Sequence, residues 1–247
     1  MAQADRRTSS GEQAQSAVSI SVFFPCYNEQ ANVARVAEQA VRVLEGLGAD
    51  YEIIIVDDGS VDETGRIADE MAAGNDRIRV IHHPRNLGYG AALQSGFRAA
   101  RKKLVFYTDG DGQFDIGEMP ALLPLMNEYD IVSCYRMNRQ DNIVRRINGW
   151  LWTKVTGLLF SLKVRDVDCA FKLYRRSLFD RIKMESTGAL IDTEILARAA
   201  RKGYTITQRG VHHYPRTAGR QTGASLRVVL RAFKELWQLR RRIVQEP

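Results

Sequence analysis

The chain has 247 residues, a mass of 27.9 kDa and a formal net charge of +7, with 45% apolar and 26% charged residues. That length allows one large domain or two small ones, and the composition is ordinary for a soluble globular protein. Cys26, Cys134 and Cys169 are widely spaced, which argues against a disulfide framework or a zinc site and favours a reducing compartment. The positive charge suggests a polyanionic partner, but no recognisable nucleic-acid-binding module is present, so we expect no nucleic-acid partner.

The N-terminal residues 1–17 have no apolar run. The sequence therefore predicts a disordered tail there and not a signal peptide. A folded domain is predicted over 18–220, followed by a basic amphipathic helix over 221–247. No stretch approaches the roughly 18 uncharged apolar residues that span a bilayer.

Strands and amphipathic helices alternate through the first half of the chain. Strands are predicted at 18–24, 51–56, 78–82, 104–108 and 131–133, the first of them ended by Pro25. Helices are predicted at 28–47, 62–73 and 88–101, the first of them capped by Asn28. Near-continuous apolar strands separated by such helices predict an α/β fold with a mostly parallel central sheet flanked by helices.

The second half is less regular. A basic, aromatic segment at 145–163 is predicted to be either a membrane-surface element or a dimer contact. The block DVDCAFKLY at 166–174 follows it, and then a predicted helix at 192–202 and a predicted strand at 204–208.

The final helix, from about residue 225, is amphipathic. Leu226, Val229, Leu230, Phe233 and Trp237 share one face, opposite a basic stripe. This pattern is typical of an interfacial helix on anionic lipid, and equally of a helix that docks on the domain with its charged side in solvent.

Three polar clusters follow the first, second and fourth predicted strands. They are residues 25–29 (PCYNE), Asp57-Asp58 and Asp109-Gly110-Asp111. Ligands of parallel sheets gather beyond the carboxyl ends of the strands, so the three clusters predict one site. Two carboxylates in a D-x-D spacing can jointly hold Mg²⁺ or Mn²⁺, although an isolated D-G-D-G is more often an ordinary acidic turn.

Two other ligand-binding motifs are disfavoured by particular residues. A calcium loop requires glycine at its sixth position and glutamate at its twelfth, where this chain has Phe114 and Pro120. A dinucleotide fingerprint that starts at Gly88 would need glycine at the position of Leu93.

Four ordered blocks in the first half resemble glycosyltransferase family two: SVFFPCYNEQANV, EIIIVDDGSVDETGRIA, HPRNLGYGAALQSGFRAA and YTDGDGQFDIGEMPALL. The resemblance extends over about 18–220 and is nearest to the dolichol-phosphate and polyprenyl-phosphate sugar transferases, which the DVDCAFKLYRR block also resembles. It implies a single GT-A type domain. It also implies inverting transfer from a nucleotide diphosphate sugar to a polyprenyl phosphate, with Mg²⁺ or Mn²⁺ as cofactor.

The resemblance also implies roles for individual residues. Those expected to contact the nucleotide sugar are Pro25, Tyr27, Glu29, Asp57, Asp58, Asn86, Gly88, Gly90 and Asp109. Those expected to hold the metal are Asp109, Asp111 and Gln113. Arg136 is expected to meet phosphate, and Asp192, Arg216 and Arg220 are expected around the acceptor and the diphosphate.

The sequence leaves two classes of acceptor open. The lipid-phosphate branch has a Pro-Thr-Ser-Gly-like run after the acidic residue at 166, where this chain has Val167-Asp168-Cys169-Ala170. Asp166 and Asp168, with Asp192 and Glu194, are candidate bases or acceptor residues, because a hydroxyl acceptor needs a general base. A lipid phosphate has a second pKa near 6 and needs none.

We therefore expect a cytoplasmic, peripherally membrane-associated enzyme that uses a polyprenyl phosphate, with an anionic membrane surface as a partner and a homo-oligomer as a possibility. The alternatives are a family-two transferase that uses a hydroxyl acceptor and a nucleotide-sugar sensor without turnover.

Overall fold

The structure, a computed structural model, describes residues 17–137, 143–216 and 226–245. Within the helices Ile143–Phe160 and Leu226–Gln245, side chains are described from residue 147 and from residue 235 respectively. The predicted disordered tail, apart from its last residue, and the predicted site residue Arg220 lie outside the described residues.

Nine strands and six α-helices occur in the described part of the chain. The strands are β1 (Ser19–Cys26), β2 (Asp50–Asp57), β3 (Ile78–His82), β4 (Leu104–Thr108), β5 (Ile131–Ser133), β6 (Tyr135–Met137), β7 (Phe171–Arg175), β8 (Ile206–Thr207) and β9 (Gly210–His212). The helices are α1 (Val33–Gly46), α2 (Thr64–Gly74), α3 (Tyr89–Ala99), α4 (Ile143–Phe160), α5 (Ile191–Arg201) and α6 (Leu226–Gln245). Runs of 3-10 turns occupy Ile116–Asn127 and Arg176–Asp180.

The central sheet has the strand order β3-β2-β1-β4-β7-β5-β8, and β6 pairs with β9 in a separate ribbon. β1 pairs in parallel with β2 on one side and with β4 on the other. The chain thus winds outward from β1 to β3 and then returns through α3 to β4 on the other side of β1. Such a reversal opens a crevice beyond the carboxyl ends of the two central strands, where α/β sheets bind ligands.

The central strands are almost completely buried, as their continuous apolar sequences predict. Aromatic rings extend this core into the second half of the chain. Phe97 of α3 packs edge-on against Phe23 of β1 at 4.8 Å between ring centroids and stacks on Phe179 at 4.0 Å. The predicted α/β architecture, with a mostly parallel sheet flanked by helices, is confirmed.

Two local predictions about the first strand and helix were wrong. β1 continues through Pro25 to Cys26, because the pairing with β4 ends at Phe23 and no donor is required of Pro25 on that side. Asn28 does not cap α1, which begins at Val33 after Asn32. Asn28 has a positive φ of 56°, and its side chain accepts a hydrogen bond from the Val61 N–H.

The largest omission from the sequence interpretation is β7. This strand runs antiparallel between β4 and β5 and therefore joins the second half of the chain to the central sheet. The predicted strand at 204–208 is reduced to the two residues of β8. The region after β4 is consequently the part of the sheet that departs from parallel order.

The loop before α3 packs directly against the backbone of residues 186–188. The Gly90 N–H donates to the Thr187 carbonyl at 2.9 Å. A Cβ at Gly90 would lie 2.4 Å from the Ser186 carbonyl oxygen and 2.6 Å from that of Gly188. Glycine is required here because two backbone segments touch, and neither can move as a flexible side chain does.

We predict that Gly90→Ala lowers the free energy of unfolding by about 1–3 kcal/mol, the usual cost of overpacking. Urea denaturation of both proteins measures the difference. The control is Gly74→Ala at the end of α2, where no heavy atom lies within 4 Å of the added methyl group. There we expect a gain of about 0.4–1 kcal/mol from the reduced entropy of the unfolded chain. Equal effects of the two substitutions would contradict the close packing at Gly90.

Candidate active site

A cavity of about 830 Å³ opens beyond the carboxyl ends of β1 and β4. The predicted site residues that line it are Pro25, Tyr27, Glu29, Asp58, Asn86, Asp109, Asp111 and Arg216. The strand register accounts for this convergence, because Cys26 of β1 lies beside Asp57 of β2, and β4 runs parallel to β1. The three polar clusters therefore meet at one edge of the sheet, as predicted.

Asp109 and Asp111 form the acidic pair of this cavity. Burial, and then the charge of Asp111, raise the pKa of Asp109 to about 8. Burial also raises the pKa of Asp111, while the Gln113 N–H, which donates to Asp111 at 3.0 Å, and the charge of Arg216 act in the opposite direction. Two half-buried carboxyl groups that both resist ionisation favour a cation between them.

The donor set suits a divalent metal whose coordination is completed by a ligand. Among the described residues, no group of three or more His, Cys, Asp or Glu side chains is placed to hold a metal ion. Two carboxylates leave several positions for water and phosphate oxygens, which is the way Mg²⁺ is usually bound. The residues present thus fit a metal that arrives with a diphosphate.

Tyr89 also contacts the acidic pair. It is the first residue of α3 and lines the cavity, and its hydroxyl donates to Asp109 Oδ1 at 3.1 Å. Burial, followed by the charge of Asp109, raises the pKa of the Tyr89 hydroxyl well above its ordinary value. The hydroxyl therefore remains a hydrogen-bond donor at neutral pH.

The segment after β9 packs against the loop that carries Asp109 and Asp111. Gln113 donates its side-chain amide to the Tyr214 carbonyl at 2.9 Å, and the Tyr214 N–H donates to the Gln113 carbonyl at 2.8 Å. Arg216 forms an ion pair with Glu29, and its guanidinium lies 4.0 Å from Asp111. Arg216 thus lines the cavity, whereas the side-chain amide of Gln113 binds the backbone of the segment after β9.

Asp57 and Asp58 brace the loops around the cavity. Asp57 accepts from the Ser60 N–H and pairs with His82 at 3.0 Å, and it is not among the residues that line the cavity. Asp58 accepts from the backbone N–H groups of Leu87 and Gly88 at 2.9 and 3.0 Å. It also meets His83 Nδ1 at 2.6 Å. Both carboxylates already have several protein partners.

The predicted phosphate and acceptor residues of the second half occur as ion pairs. Arg136 of β6 makes a two-pronged contact with Asp166, at 2.7 Å from Nε and 2.8 Å from Nη2. Asp192 is buried in the first turn of α5, where it accepts from the Tyr107 hydroxyl and from Lys172 Nζ, the latter at 2.8 Å. Unlike these two, the half-buried Asp168 carboxylate receives no hydrogen bond from the described residues.

Glu194 has a structural role in the loop that supports Gly90. One carboxylate oxygen accepts from the N–H groups of Glu185 and Ser186 at 3.0 and 2.7 Å, and the other accepts from Arg198 at 2.9 Å. Arg198 also binds Glu185 at 2.8 Å, and Arg242 of α6 meets the same carboxylate at 3.4 Å. These contacts fix residues 185–188 against α3.

Residues 21–183 match the family model described as Glycosyl transferase family 2. The chain belongs to this family. The resemblance inferred from the sequence motifs is thereby confirmed.

Two curated relatives extend the comparison. Glycosyltransferase AglD of Haloferax volcanii is 33% identical over 210 residues, which cover 81% of this chain and 34% of AglD. The dodecaprenyl-phosphate galacturonate synthase of Rhizobium johnstonii is 30% identical over 169 residues, which cover 67% of this chain and 50% of the synthase. The chain thus spans between a third and a half of the length of these two relatives.

Solved structures support the fold. Glucosyl-3-phosphoglycerate synthase from Mycobacterium tuberculosis, in complex with Mn²⁺, UDP and phosphoglyceric acid, has a TM-score of 0.71 at 19% identity. That match covers 93% of this chain and 80% of the synthase chain. The same enzyme in complex with Mg²⁺ and UDP has a TM-score of 0.65 at 18% identity, over 92% of this chain and 77% of the synthase chain. The family 2 chain therefore has the GT-A fold.

The sequence interpretation of this family 2 domain missed two residues near the acidic pair. Tyr89 occupies the variable position between two motif glycines, where tyrosine gives no obvious signal. Lys172 is the lone basic residue in the apolar run FKLY and is completely buried in β7. A lysine inside a buried strand nearly always has a charged partner, so this position carried a usable signal.

We predict that Asp168→Asn stabilises the family 2 domain, compared with the unmodified protein, by a larger amount at pH 8 than at pH 5. Burial, then the charges of Asp192 and Asp166, raise the pKa of Asp168 to about 7. Because the folded-state pKa is raised, the stabilisation is complete below about pH 4 and is lost progressively as the pH rises to 7. Asparagine removes this loss, and at about 1.4 kcal/mol per pH unit we expect the variant to gain roughly 2–3 kcal/mol between pH 5 and pH 8. Urea denaturation at both pH values, with exposed Asp76→Asn as control, measures it. A pH-independent difference would contradict the assignment.

Proposed function

We propose that this chain transfers a sugar from a nucleotide diphosphate sugar to a polyprenyl phosphate at an anionic membrane surface, with a divalent metal as cofactor. The observation that carries the proposal is the acidic pair Asp109 and Asp111, open to a cavity of about 830 Å³ at the reversal point of a GT-A sheet.

The shape of the cavity suits a nucleotide diphosphate. The ring of Tyr27 is 41% exposed and lines one wall, where it can stack on a base or ribose. Asn86, in the loop before α3, and Arg216 line the same cavity as the acidic pair. A guanidinium forms strong charge-assisted hydrogen bonds with phosphate oxygens. In the proposed complex with donor, Arg216 leaves its ion pair with Glu29 and binds the diphosphate instead.

Asp109 and Asp111 would hold the metal, as the Mn²⁺ and Mg²⁺ complexes of the related mycobacterial synthase suggest. A divalent cation at that position supplies positive charge to the nucleoside diphosphate as it leaves. The two aspartates orient that charge toward the cavity, and Arg216 adds a second positive group beside them. This stabilisation is strongest in the transition state, so it accelerates transfer.

A phosphate acceptor agrees with the state of the nearby carboxylates. Asp166 is bound by Arg136, Asp192 by Lys172 and Tyr107, and Glu194 by Arg198 and two backbone N–H groups. None of these three is placed as a free general base. A polyprenyl phosphate is ionised at neutral pH and attacks without one. The galacturonate synthase relative, named for dodecaprenyl phosphate, supports the same acceptor class.

A hydroxyl acceptor is the second candidate, and Asp168 is the observation that favours it. Its pKa of about 7 is suited to a general base near neutral pH. The two candidates therefore differ in one testable respect: a hydroxyl acceptor depends on Asp168, and an ionised phosphate acceptor does not.

The outer face of α4 supports the membrane surface as partner. Ile147, Trp150, Leu151 and Leu158 lie within one helical stripe and are 48–85% exposed. Residues 143–165 contain five basic residues and no acidic one. Apolar and aromatic side chains on a basic helix are typical of binding to anionic lipid.

The inner face of α4 lies against the acceptor candidates. The Thr153 hydroxyl receives a long hydrogen bond of 3.5 Å from the Val167 N–H, next to Asp166 and Asp168. At the other end of the helix, Arg240 of α6 donates to the Leu159 carbonyl at 3.3 Å. A bilayer on the outer face of α4 would thus lie about one helix diameter, roughly 10 Å, from these residues. No described helix has the length and apolarity needed to cross a bilayer.

We predict that Asp111→Asn lowers kcat/KM for sugar transfer by about 100-fold or more, the effect of losing several kcal/mol of charge stabilisation. Transfer is measured from a panel of UDP- and GDP-sugars, with Mg²⁺ or Mn²⁺, to extracted polyprenyl phosphate and to soluble hydroxyl acceptors. Asp115→Asn is the matched control, since Asp115 binds Gln39 and the Gly117 N–H and does not line the cavity.

If sugar is transferred to hydroxyl acceptors and not to polyprenyl phosphate, the lipid-phosphate acceptor is rejected in favour of a hydroxyl acceptor. Donor binding without turnover on any acceptor would favour a sensor. Full turnover by Asp111→Asn in metal-stripped buffer would contradict the metal assignment.

We predict that Leu158→Glu weakens binding to vesicles of phosphatidylcholine and phosphatidylglycerol about tenfold, because burial of a leucine contributes roughly 1.5–3 kcal/mol. Co-sedimentation measures the partition coefficient. Val61→Glu is the control, because Val61 is 86% exposed in the loop after β2 and Leu158 is 85% exposed on α4. Equal loss for both variants would reject α4 as the contact. A dimer that dissociates on Leu158→Glu, without vesicle binding, would assign the face to self-association.

A further inference from the structure

The Tyr89 side chain approaches the acidic pair from the wall of the cavity formed by α3. Its hydroxyl donates to Oδ1 of Asp109 at 3.1 Å. A carboxylate has two oxygens, and a phenol bound to one of them restricts rotation of the group and leaves the other to face the cavity. Tyr89 therefore determines the direction in which Asp109 presents its second oxygen.

The backbone on both sides of Tyr89 is fixed. The Gly88 N–H donates to Asp58 at 3.0 Å, and the Gly90 N–H donates to the Thr187 carbonyl at 2.9 Å. These two contacts fix the position in which Tyr89 begins α3.

A buried polar group lies next to the Tyr89 hydroxyl. It includes the hydroxyl of Tyr107, which donates its single proton to Asp192. Lys172 Nζ completes the group, at 3.2 Å from the Tyr107 hydroxyl and 2.8 Å from Asp192. Tyr107, Lys172 and Asp192 are almost completely buried. Such a network fixes the position of the Tyr107 hydroxyl beside Tyr89, because losing any partner would leave a buried polar group unsatisfied.

We propose that Tyr89 is a positioning residue for the metal site, which holds Asp109 in the orientation that binds a divalent cation together with a nucleoside diphosphate. The inference rests on the proposed function. Hydrogen bonds to ligating side chains orient the ligands, and their loss typically costs about 10–100-fold in metal affinity. Tyr89 acts through Asp109 and need not touch the reacting atoms.

The test measures Mn²⁺ binding in the presence of UDP. Electron paramagnetic resonance detects the free ion, and calorimetry gives the Kd independently. Tyr89→Phe keeps the ring and removes the hydroxyl, and we expect it to raise the Kd for Mn²⁺ about tenfold or more. Under turnover conditions, the same variant is expected to need more Mn²⁺ for half-maximal rate and to recover most of kcat at saturating Mn²⁺.

Tyr51→Phe is the matched control. Tyr51 is also buried, but it lies near the start of β2, at the end of the sheet opposite the cavity. Its hydroxyl donates to Glu45. We expect its Kd for Mn²⁺ to equal that of the unmodified protein. Thermal denaturation of both variants identifies any loss of Mn²⁺ binding that arises from unfolding, and a second variant, Tyr89→Met, must show the same loss of binding.

The outcomes separate this inference from the proposed function. If the unmodified protein binds Mn²⁺ with UDP, Asp109→Asn does not, and Tyr89→Phe binds as tightly as the unmodified protein, then the role of Tyr89 is rejected and the metal assignment stands. If the unmodified protein binds no Mn²⁺ in the presence of UDP, the role of Tyr89 and the metal assignment are both rejected. A loss confined to kcat at saturating Mn²⁺, with the Kd unchanged, also overturns the positioning role.

Discussion

The site is organised around the repulsion between Asp109 and Asp111. The two carboxyl groups sit half-buried at the end of β4, and burial with mutual charge raises the pKa of Asp109 to about 8. Two half-buried carboxylates this close together lower the stability of the fold. Such a pair is therefore typical of a site where a bound cation neutralises the charge. The surrounding residues accommodate this pair, with Tyr89 on one side and Arg216 on the other.

The remaining charges near the site are largely neutralised by the protein itself. Arg136 binds Asp166, Lys172 binds Asp192, and Arg198 binds Glu194. Removing one partner from such a buried pair would leave an uncompensated charge, at a typical cost of about 3–5 kcal/mol. These pairs stabilise the second half of the family 2 domain against the central sheet, and they distinguish the acidic pair as the place where a charged ligand is needed.

The sequence predicted the central sheet well because its strands are continuous apolar runs with unambiguous turns. The bounds of β3, β4 and β5 were predicted to the residue. β7 was missed, because antiparallel insertion between β4 and β5 depends on pairing between distant segments that no local pattern reveals. Asn28 was misassigned as a cap, because a left-handed turn and a helix start favour the same residue type.

The site was predicted in part. Strand ends in a parallel sheet must converge, and the motif residues at those ends therefore line one cavity. Their roles stay predictions. The ion pairs of Asp166 and Asp192 were not foreseen, since side-chain pairing between β6, β7, α5 and their loops is a tertiary property. Arg220 and most of the apolar face of α6 lie outside the described side chains.

The loop before α3 packs through Gly88 and Gly90 on another stretch of backbone, residues 186–188. That stretch is tethered through Glu185 to guanidinium groups of both α5 and α6. Residues 185–188 therefore link the loop before α3 to α6, two segments that are more than 140 positions apart along the sequence.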